Sequence, residues 1–306
     1  QCFLECDGVS TDTRNIQENS LFVALKGENF DANTFAKDAL AKGARYVIID
    51  DKNQYTDTNK MLLVDDSLQY LQLLANFHRK QLGLPIIALT GSNGKTTSKE
   101  LIYSVLSKKY NTKATIGNLN NHIGVPLTIL SFDESTDIGI VEMGANHQKE
   151  IELLCKIAEP DYGYITNFGR AHLEGFGGFE GVIAGKSEMY NYLENANKMA
   201  FVNLDDPIQV DKTANISVYS FSFKDVFADV CITDSEAQPM AKIEVENTEI
   251  LSNLTGTYNL TNIAIAATIG NYFNISYNEI NEAVSSYFPT NNRSQWIEKQ
   301  SNKILL

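Results

Sequence analysis

The sequence LPIIALTGSNGKTTSKELIYSVL, residues 84–106, decides the fold of this chain. It opens with an apolar, β-branched run at 86–89, turns through a glycine-containing loop at 91–94, and continues with apolar residues at helical spacing from 101 to 106. The pattern predicts a buried parallel strand, a glycine loop and a helix. In such a unit the glycines let the backbone approach a phosphate, and the first helical amides point at it.

The loop is therefore predicted to bind a nucleoside triphosphate, with contacts from Gly91, Ser92, Asn93, Gly94, Lys95, Thr96 and Thr97. Lys95 supplies a positive charge for the outer phosphates, and the Thr96 hydroxyl is expected to reach a Mg²⁺ ion. The usual P-loop has a glycine five positions before Gly94, where this chain has Leu89, so the motif is a shortened form. A plain strand-to-helix turn is the alternative interpretation.

Composition limits the class of protein. The 306 residues, 43 % of them hydrophobic, are enough for two domains with their own cores. The net charge of −13 argues against a nucleic-acid or anionic-membrane surface. No apolar run approaches the ~18 residues of a membrane span, and the start of the chain has no basic region typical of a signal peptide.

The four cysteines, Cys2, Cys6, Cys155 and Cys231, form no CxxC pair and have no histidine at ligand spacing. We interpret them as reduced, mostly buried thiols of a cytoplasmic protein, with a Cys2–Cys6 redox pair as the minor alternative.

The first 82 residues predict a small α/β domain. Strands are expected at 21–25, 46–49 and 61–64, with a helix at 35–40 that Asn33 could cap. An amphipathic helix from 67 to 82 follows, and Gly83-Leu84-Pro85 breaks it. We place the boundary between a domain at 1–82 and a second domain at 83–292 at this break.

After the phosphate loop, strands predicted at 138–142, 162–165 and 200–202 alternate with helices. This alternation predicts a doubly wound, mostly parallel sheet whose ligands bind at the carboxyl ends of the strands. The pattern also predicts a strand starting near Val125, a hairpin excursion from about 218 to 254, and a helix over 258–272. We therefore expect Glu142 and the segment from Asn167 to His172 to lie beside the phosphate loop.

Three side chains in these segments are candidates for chemistry. Glu142 ends a buried strand, a position that favours metal binding over a capping or surface role. His172 follows a strand in a glycine-punctuated loop, where a ligand and a structural histidine are equally compatible with the context. Lys186 falls on a predicted helix, where composition alone indicates a solvated surface lysine.

Asparagines form a second set of candidates. Asn118, Asn120 and Asn121 in GNLNNHIGVP could bind a polar substrate or simply form a turn. Asn259 and Asn262 could cap a helix or, three residues apart, face a nucleotide base.

Seven motifs occur in the order found in Mur ligases, the ATP-dependent enzymes that build the peptide of bacterial cell-wall precursors. They are TGSNGKTT (90–97), NLNNHIGVP (118–126), VEMGA (141–145), NFGRAHLEGF (167–176), GKSE (185–188), GTYNLTN (256–262) and NNRSQ (291–295). STDTR (10–14) and LFVALKGENFDAN (21–33) resemble the domain that holds the UDP-sugar in two members of the family. The chain resembles most closely the member that adds D-alanyl-D-alanine to UDP-N-acetylmuramoyl-tripeptide.

The resemblance implies a role for each matched residue. Lys95 and Thr96 would bind phosphate and Mg²⁺, Glu142 and His172 would be magnesium ligands, and Lys186 would be the lysine that many members carbamylate to support a metal. Further implied positions are Asn118 and Asn121 near the acyl substrate, Asn259 and Asn262 on the nucleotide side, Arg293 at a hinge, and Thr13, Arg14 and Asn33 at the UDP-sugar.

Two departures from the family pattern stand out. His122 occupies a position where many of these sequences carry glutamate. The family also has a C-terminal domain that closes over ATP, and residues 293–306 resemble its first strands. We therefore expect the first two domains of a longer enzyme, inactive alone.

The implied function is an ATP-dependent carboxylate–amine ligase that forms an acyl phosphate in peptidoglycan precursor synthesis. It would act in the bacterial cytoplasm, as a monomer, on small molecules only, with ATP and Mg²⁺. The alternatives are a family member that adds a single amino acid, or a nucleotide-binding fragment without turnover.

Overall fold

The computed structural model describes residues 2–289 and the backbone of two strands within 296–305. The N-terminal unit is a parallel sheet with helices packed on it. Its elements are β1 (Val9–Ser10), β2 (Leu21–Val23), β3 (Lys26–Gly27), β4 (Phe30–Asp31), α1 (Ala36–Ala41), β5 (Tyr46–Ile49), β6 (Met61–Leu63) and α2 (Ser67–Leu82), with 3-10 helices at Cys2–Glu5, Ala32–Phe35 and Lys52–Gln54. The parallel sheet has the order β1-β2-β5-β6, and β3 and β4 form a separate hairpin.

The second unit is larger and carries the phosphate loop. Its elements are β7 (Ile86–Thr90), α3 (Lys95–Leu106), β8 (Thr112–Ala114), α4 (Gly124–Leu130), β9 (Ile138–Glu142), α5 (Glu150–Ala158), β10 (Tyr162–Ile165), α6 (Leu173–Phe176), α7 (Phe179–Asn195), β11 (Met199–Asn203), α8 (Pro207–Lys212), β12 (Ser217–Ser222), β13 (Val230–Cys231), β14 (Asp234–Glu236), β15 (Lys242–Val245), β16 (Thr248–Leu251), α9 (Tyr258–Tyr272) and α10 (Tyr277–Ser285). A two-stranded antiparallel hairpin follows, β17 (Trp296–Lys299) with β18 (Asn302–Leu305).

The main sheet confirms the predicted doubly wound architecture. Its seven strands all run parallel in the order β13-β12-β11-β10-β7-β9-β8. Strands β7 and β9 are buried along their whole length, as expected for a parallel sheet covered by helices on both faces. The strand order reverses at β7, between β9 and β10. The crevice at the carboxyl ends of these three strands is therefore where a ligand is expected.

Helix α2 joins the two units. Its buried residues Leu71 and Ala75 share one core with Leu21 and Ile48 of the first sheet and with residues of the second unit. The nearly buried Arg79 donates to the carbonyls of Leu84, Ala158 and Glu159 and pairs with Asp161 at 2.7 Å. Helix α2 ends at Gly83, in the left-handed conformation at φ +64°. The predicted boundary thus follows a helix whose side chains contact both units.

Two sequence expectations about this unit are wrong. The segment near Val125 is helix α4 rather than a strand, because Pro126 is compatible with a first helical turn and Asn121 caps the preceding amides. The segment 218–254 is not one hairpin excursion, since β12 and β13 extend the main parallel sheet. Only β14, β15 and β16 form a separate antiparallel sheet. Side-chain alternation alone does not show to which sheet an edge strand pairs.

A second core lies on the other face of the main sheet. Helix α9 has ten buried residues and packs against α3, the helix that follows the phosphate loop. This packing brings the start of α9 to the phosphate loop. Arg293, predicted at a hinge, lies outside the described residues.

Candidate active site

The phosphate loop is held open by glycines and by the loop that follows β10. Gly91 has φ +140°, and a Cβ there would lie 2.0 Å from Thr166 Oγ1. Thr166 Oγ1 and Asn167 Nδ2 both donate to the carbonyl of Asn93, at 2.5 and 3.0 Å. The Ser92 amide donates to the Asn167 carbonyl at 3.1 Å. These contacts fix the shape of the loop without a ligand.

Helix α3 begins at Lys95 with Gly94 as its N-cap, and no side chain caps it. The amides in the first turn of a helix are the groups that bind anions at such sites. Lys95 Nζ donates to the Gly91 carbonyl at 2.8 Å, so the charge lies over the loop itself.

Glu142 ends β9 directly beside Thr96 and is almost fully buried. Its Oε1 accepts hydrogen bonds from Thr96 Oγ1 at 3.3 Å and from Asn120 Nδ2 at 2.8 Å. Its Oε2 is buried and makes no hydrogen bond. A buried carboxylate oxygen without a partner is costly unless a cation or donor completes the site. Hydroxyl and carboxylate oxygens are the donors that Mg²⁺ prefers, so the donor set fits this ion.

Lys186 is not the surface lysine that composition indicates. It is 2 % exposed on α7, its Nζ donates to the Ala145 carbonyl at 3.3 Å, and it lies 5.1 Å from the centre of the Phe176 ring. Burial, and then the charge of Lys95, lower the pKa of Lys186 to about 8.

His172 lies on the surface of the same edge, just before the short helix α6, at φ +55°. Within residues 2–289, no group of three histidine, cysteine, aspartate or glutamate side chains is placed to hold a metal. The structure brings Thr96 and Glu142 together, and the role of His172 as a metal ligand stays a prediction.

The asparagines of the 118–121 loop take different positions. Asn118 is exposed, and Asn121 Oδ1 caps α4 by accepting from the amides of Ile123 and Gly124. Asn120, to which the family resemblance assigns no role, is the one that contacts Glu142. Nothing in the sequence distinguishes the three amides, since the turn decides which one faces the strand end.

Asn259 and Asn262 lie inside the structure rather than at the surface of α9. Asn262 Oδ1 accepts from Ser98 Oγ at 3.0 Å, and Asn262 Nδ2 donates to Asn259 Oδ1 at 2.9 Å. A Cβ on Gly94 would lie 2.7 Å from Asn262 Oδ1. The pair thus packs α9 against the phosphate loop and the first turn of α3.

The three residues implied at the UDP-sugar, Thr13, Arg14 and Asn33, have different surroundings. Asn33 is fully buried: its Nδ2 donates to Asp31 and Asp50, and its Oδ1 accepts from the amides of Asp50 and Asp51. With its amide fully used, Asn33 supports the loop instead of presenting a group to a sugar, contrary to expectation. Nor does it cap a helix, since Asp31 does so. Arg14 is exposed and pairs with Asp12 at 2.7 Å, and the Thr13 carbonyl accepts from Lys42.

Two family models match this chain. Residues 89–270 match the Mur ligase middle domain, and residues 5–79 match the catalytic domain of the Mur ligase family. This chain belongs to the Mur ligase family.

Several relatives within the Mur ligases carry the same name, UDP-N-acetylmuramoyl-tripeptide--D-alanyl-D-alanine ligase. The Bacillus subtilis protein is 35 % identical over 296 residues, which cover 96 % of this chain and 65 % of the relative. The Escherichia coli protein is 33 % identical and is covered to 68 %. The chain thus spans about two thirds of the length of these relatives.

Several solved Mur ligase structures are similar to this chain. MurF from Acinetobacter baumannii has a TM-score of 0.86 at 31 % identity, over 97 % of this chain and 66 % of that one. MurF from Thermotoga maritima in complex with ADP has a TM-score of 0.84 at 28 % identity, over 100 % and 71 % of the chains. A 2,6-diaminopimelate ligase has a TM-score of 0.62 at 20 % identity, which indicates a shared fold. In the part of the chain that the structure describes, no helix has the length and apolarity of a membrane span.

Proposed function

We propose that this chain carries the nucleotide and acyl-substrate sites of an ATP-dependent ligase that joins D-alanyl-D-alanine to UDP-N-acetylmuramoyl-tripeptide in peptidoglycan precursor synthesis. The observation that carries the proposal is the buried carboxylate of Glu142. Its Oε1 accepts from Thr96 of the phosphate loop and from Asn120, and its Oε2 has no hydrogen-bond partner. The shared name of the relatives supports the choice of substrates.

In the proposed reaction, the terminal carboxylate of the tripeptide attacks the γ-phosphorus of ATP and displaces ADP. Both reactants are anions, so charge must be neutralised where the phosphoryl group transfers. Lys95 and the uncapped amides of α3 supply positive charge from this chain. Mg²⁺, which Thr96 and Glu142 would hold, adds further neutralisation of phosphate charge when bound. The amine of the dipeptide then attacks the acyl carbon and expels phosphate.

Lys186 is proposed to react with carbon dioxide to form a carbamate. An amine must be neutral to attack carbon dioxide, and the lowered pKa of Lys186 provides a neutral fraction near pH 8. The product would be a carboxylate-like group facing Lys95. His172 and Thr96 would complete the metal environment in this proposal.

The UDP-sugar is proposed to bind between the two units. A cleft of about 1760 Å³ lies there, lined by Ser10, Thr11 and Asp12 on one side and by Ile116 and Leu119 on the other. The second pair precedes Asn120, so the cleft adjoins the candidate catalytic edge. Thr13 and Arg14 follow the first group and remain candidate contacts. We further propose that the enzyme acts as a monomer in the bacterial cytoplasm.

The test is phosphate release by the full-length gene product with ATP, Mg²⁺ and UDP-muramoyl-tripeptide, with and without D-alanyl-D-alanine. Release that depends on the dipeptide, with a product of UDP-muramoyl-pentapeptide mass, is the expected result. Phosphate release with a single amino acid and UDP-muramoyl-dipeptide would instead assign this enzyme to the preceding ligation step. Lys95→Ala should abolish release, and near-normal turnover by that variant would overturn the site assignment.

A further inference from the structure

The loop at 145–149, between β9 and α5, carries a histidine that has no role in the reaction as described so far. The Ala145 carbonyl in this loop is the acceptor for Lys186 Nζ. Gln148 Nε2 donates to the Phe176 carbonyl at 3.3 Å, which fastens the same loop to the end of α6. His147 lies between Ala145 and Gln148 in the chain, in the loop that follows the carboxyl end of β9.

A carboxylate orients the His147 ring. Glu150 Oε2 accepts from the amides of Asn146 at 2.6 Å and His147 at 3.1 Å, which fixes the carboxylate, and Oε1 lies 3.4 Å from His147 Nδ1. A carboxylate at Nδ1 favours the tautomer with the proton on Nδ1. The lone pair is then on Nε2, the atom that can accept a proton.

Nε2 faces the chain of α6. A Cβ on Gly175 would lie 3.1 Å from His147 Nε2 and 2.3 Å from the Asn146 carbonyl. The two segments approach this closely because residue 175 has no side chain. The His147 side chain is nevertheless 64 % exposed, so a substrate group can reach the ring.

We propose that His147, oriented by Glu150, is the base that takes a proton from the ammonium group of the incoming amine. This inference rests on the proposed function. A dipeptide amine has a pKa of about 8 and is largely protonated at neutral pH, so it must lose a proton before it can attack. Imidazole is the side chain best suited to accept one near neutral pH.

The step balances as follows. His147 Nε2 takes one proton from the ammonium group, and the freed lone pair forms the C–N bond to the acyl phosphate carbon. The bond between that carbon and the bridging phosphate oxygen then breaks. The second amine proton leaves with the phosphate as HPO₄²⁻, and the imidazolium returns its proton to solvent.

The loop and the elements near it carry other charged side chains. They are Glu150 and Lys149 beside the loop, Glu174 on α6, and Lys186 and Glu188 on α7. Both carboxylate oxygens of Glu188 already accept hydrogen bonds, from the amides of Lys149 and Glu152. Glu150 is the carboxylate that contacts the ring.

The experiment compares two amines with the full-length gene product. Hydroxylamine is a weaker base than a dipeptide amine and is neutral at neutral pH, so it needs no proton acceptor before it attacks. His147→Ala should slow pentapeptide formation roughly 100-fold or more, the usual contribution of a general base. Formation of the acyl hydroxamate from ATP, UDP-muramoyl-tripeptide and hydroxylamine should stay unchanged, and added imidazole should partly restore ligation of the dipeptide.

Lys149→Gln is the matched control, because Lys149 lies two residues away and is exposed in a surface ion pair with Glu152. It should keep both activities. Equal loss of both products in His147→Ala would indicate a structural role and overturn the proposal, as would unchanged dipeptide ligation. Absence of hydroxamate with the wild-type enzyme would instead count against the proposed function itself.

Discussion

Asn120 Nδ2 donates to Glu142 Oε1 across 2.8 Å, although the two residues lie 22 positions apart in the chain. The contact is fixed from both sides. The Asn120 carbonyl accepts from the Gly144 amide at 2.7 Å, and a Cβ on Gly144 would lie 2.8 Å from the Asn120 side chain. The amide therefore holds one oxygen of Glu142 and leaves the other available.

Replacing Asn120 should disturb catalysis more than replacing its exposed neighbour Asn118. Asn120→Ala removes the donor that orients Glu142, and loss of such a supporting contact typically costs 10- to 100-fold in activity or metal affinity, so we expect about that loss. Steady-state rates at varied Mg²⁺ measure it. Asn118→Ala is the control, and a larger loss in that variant would show that the assignment of the two amides is reversed.

Gly91→Ala should destroy the phosphate loop. The new Cβ would lie 2.0 Å from Thr166 Oγ1 at a φ of +140°, so either the loop or β10 must shift. We expect loss of ATP binding in calorimetry and a loss of about 1–3 kcal/mol in the free energy of unfolding. Gly83→Ala is the control, because it has a positive φ of +64° with open space around it. ATP binding by Gly91→Ala at the wild-type affinity would contradict the loop geometry.

Lys186 should make stability depend on pH. Its pKa is lowered from 10.5 to about 8 by burial, so between these values the unfolded chain binds more protons than the folded one. Stability should therefore rise with pH through this window, and the cost of burying the lysine, about 3 kcal/mol, is fully present below pH 8. Lys186→Met should relieve that cost at neutral pH, with the gain vanishing near pH 10.5.

Urea unfolding in bicarbonate-free buffer measures this difference at each pH. Added bicarbonate should stabilise the wild type but not Lys186→Met if the carbamate forms, and a carbamate signal in ¹³C NMR should be absent from the variant. A gain from Lys186→Met that is the same at all pH values would exclude the predicted titration.

Arg79 should be essential for the attachment of α2. Arg79→Met removes the donor to three carbonyls and one of the two cations paired with Asp161, which keeps Lys198 at 2.7 Å. We therefore expect a loss of about 1–3 kcal/mol in the free energy of unfolding. The neighbouring Lys80 pairs with Glu159 at the surface, and Lys80→Met should cost less than about 1 kcal/mol. Similar losses in the two variants, measured by urea unfolding, would mean that the buried pair contributes no more than the surface pair.

Short-range sequence pattern was enough to predict several parts of this protein. The strand, glycine loop and helix at 84–106 were predictable because periodicity and glycine positions act over a few residues. The strand-end position of Glu142 followed from the alternation of strands and helices, since parallel strands share one carboxyl edge. The order of motifs gave the family.

Which side chains meet became visible only in the folded structure. Lys186 is buried because α7 packs against the 145–149 loop, Asn120 rather than Asn118 contacts Glu142, and Asn33 is enclosed by Asp31 and Asp50. Strands β12 and β13 extend the main sheet through pairing that side-chain alternation does not encode. Burial and hydrogen bonding depend on distances between segments remote in the chain, and a single sequence does not contain those distances.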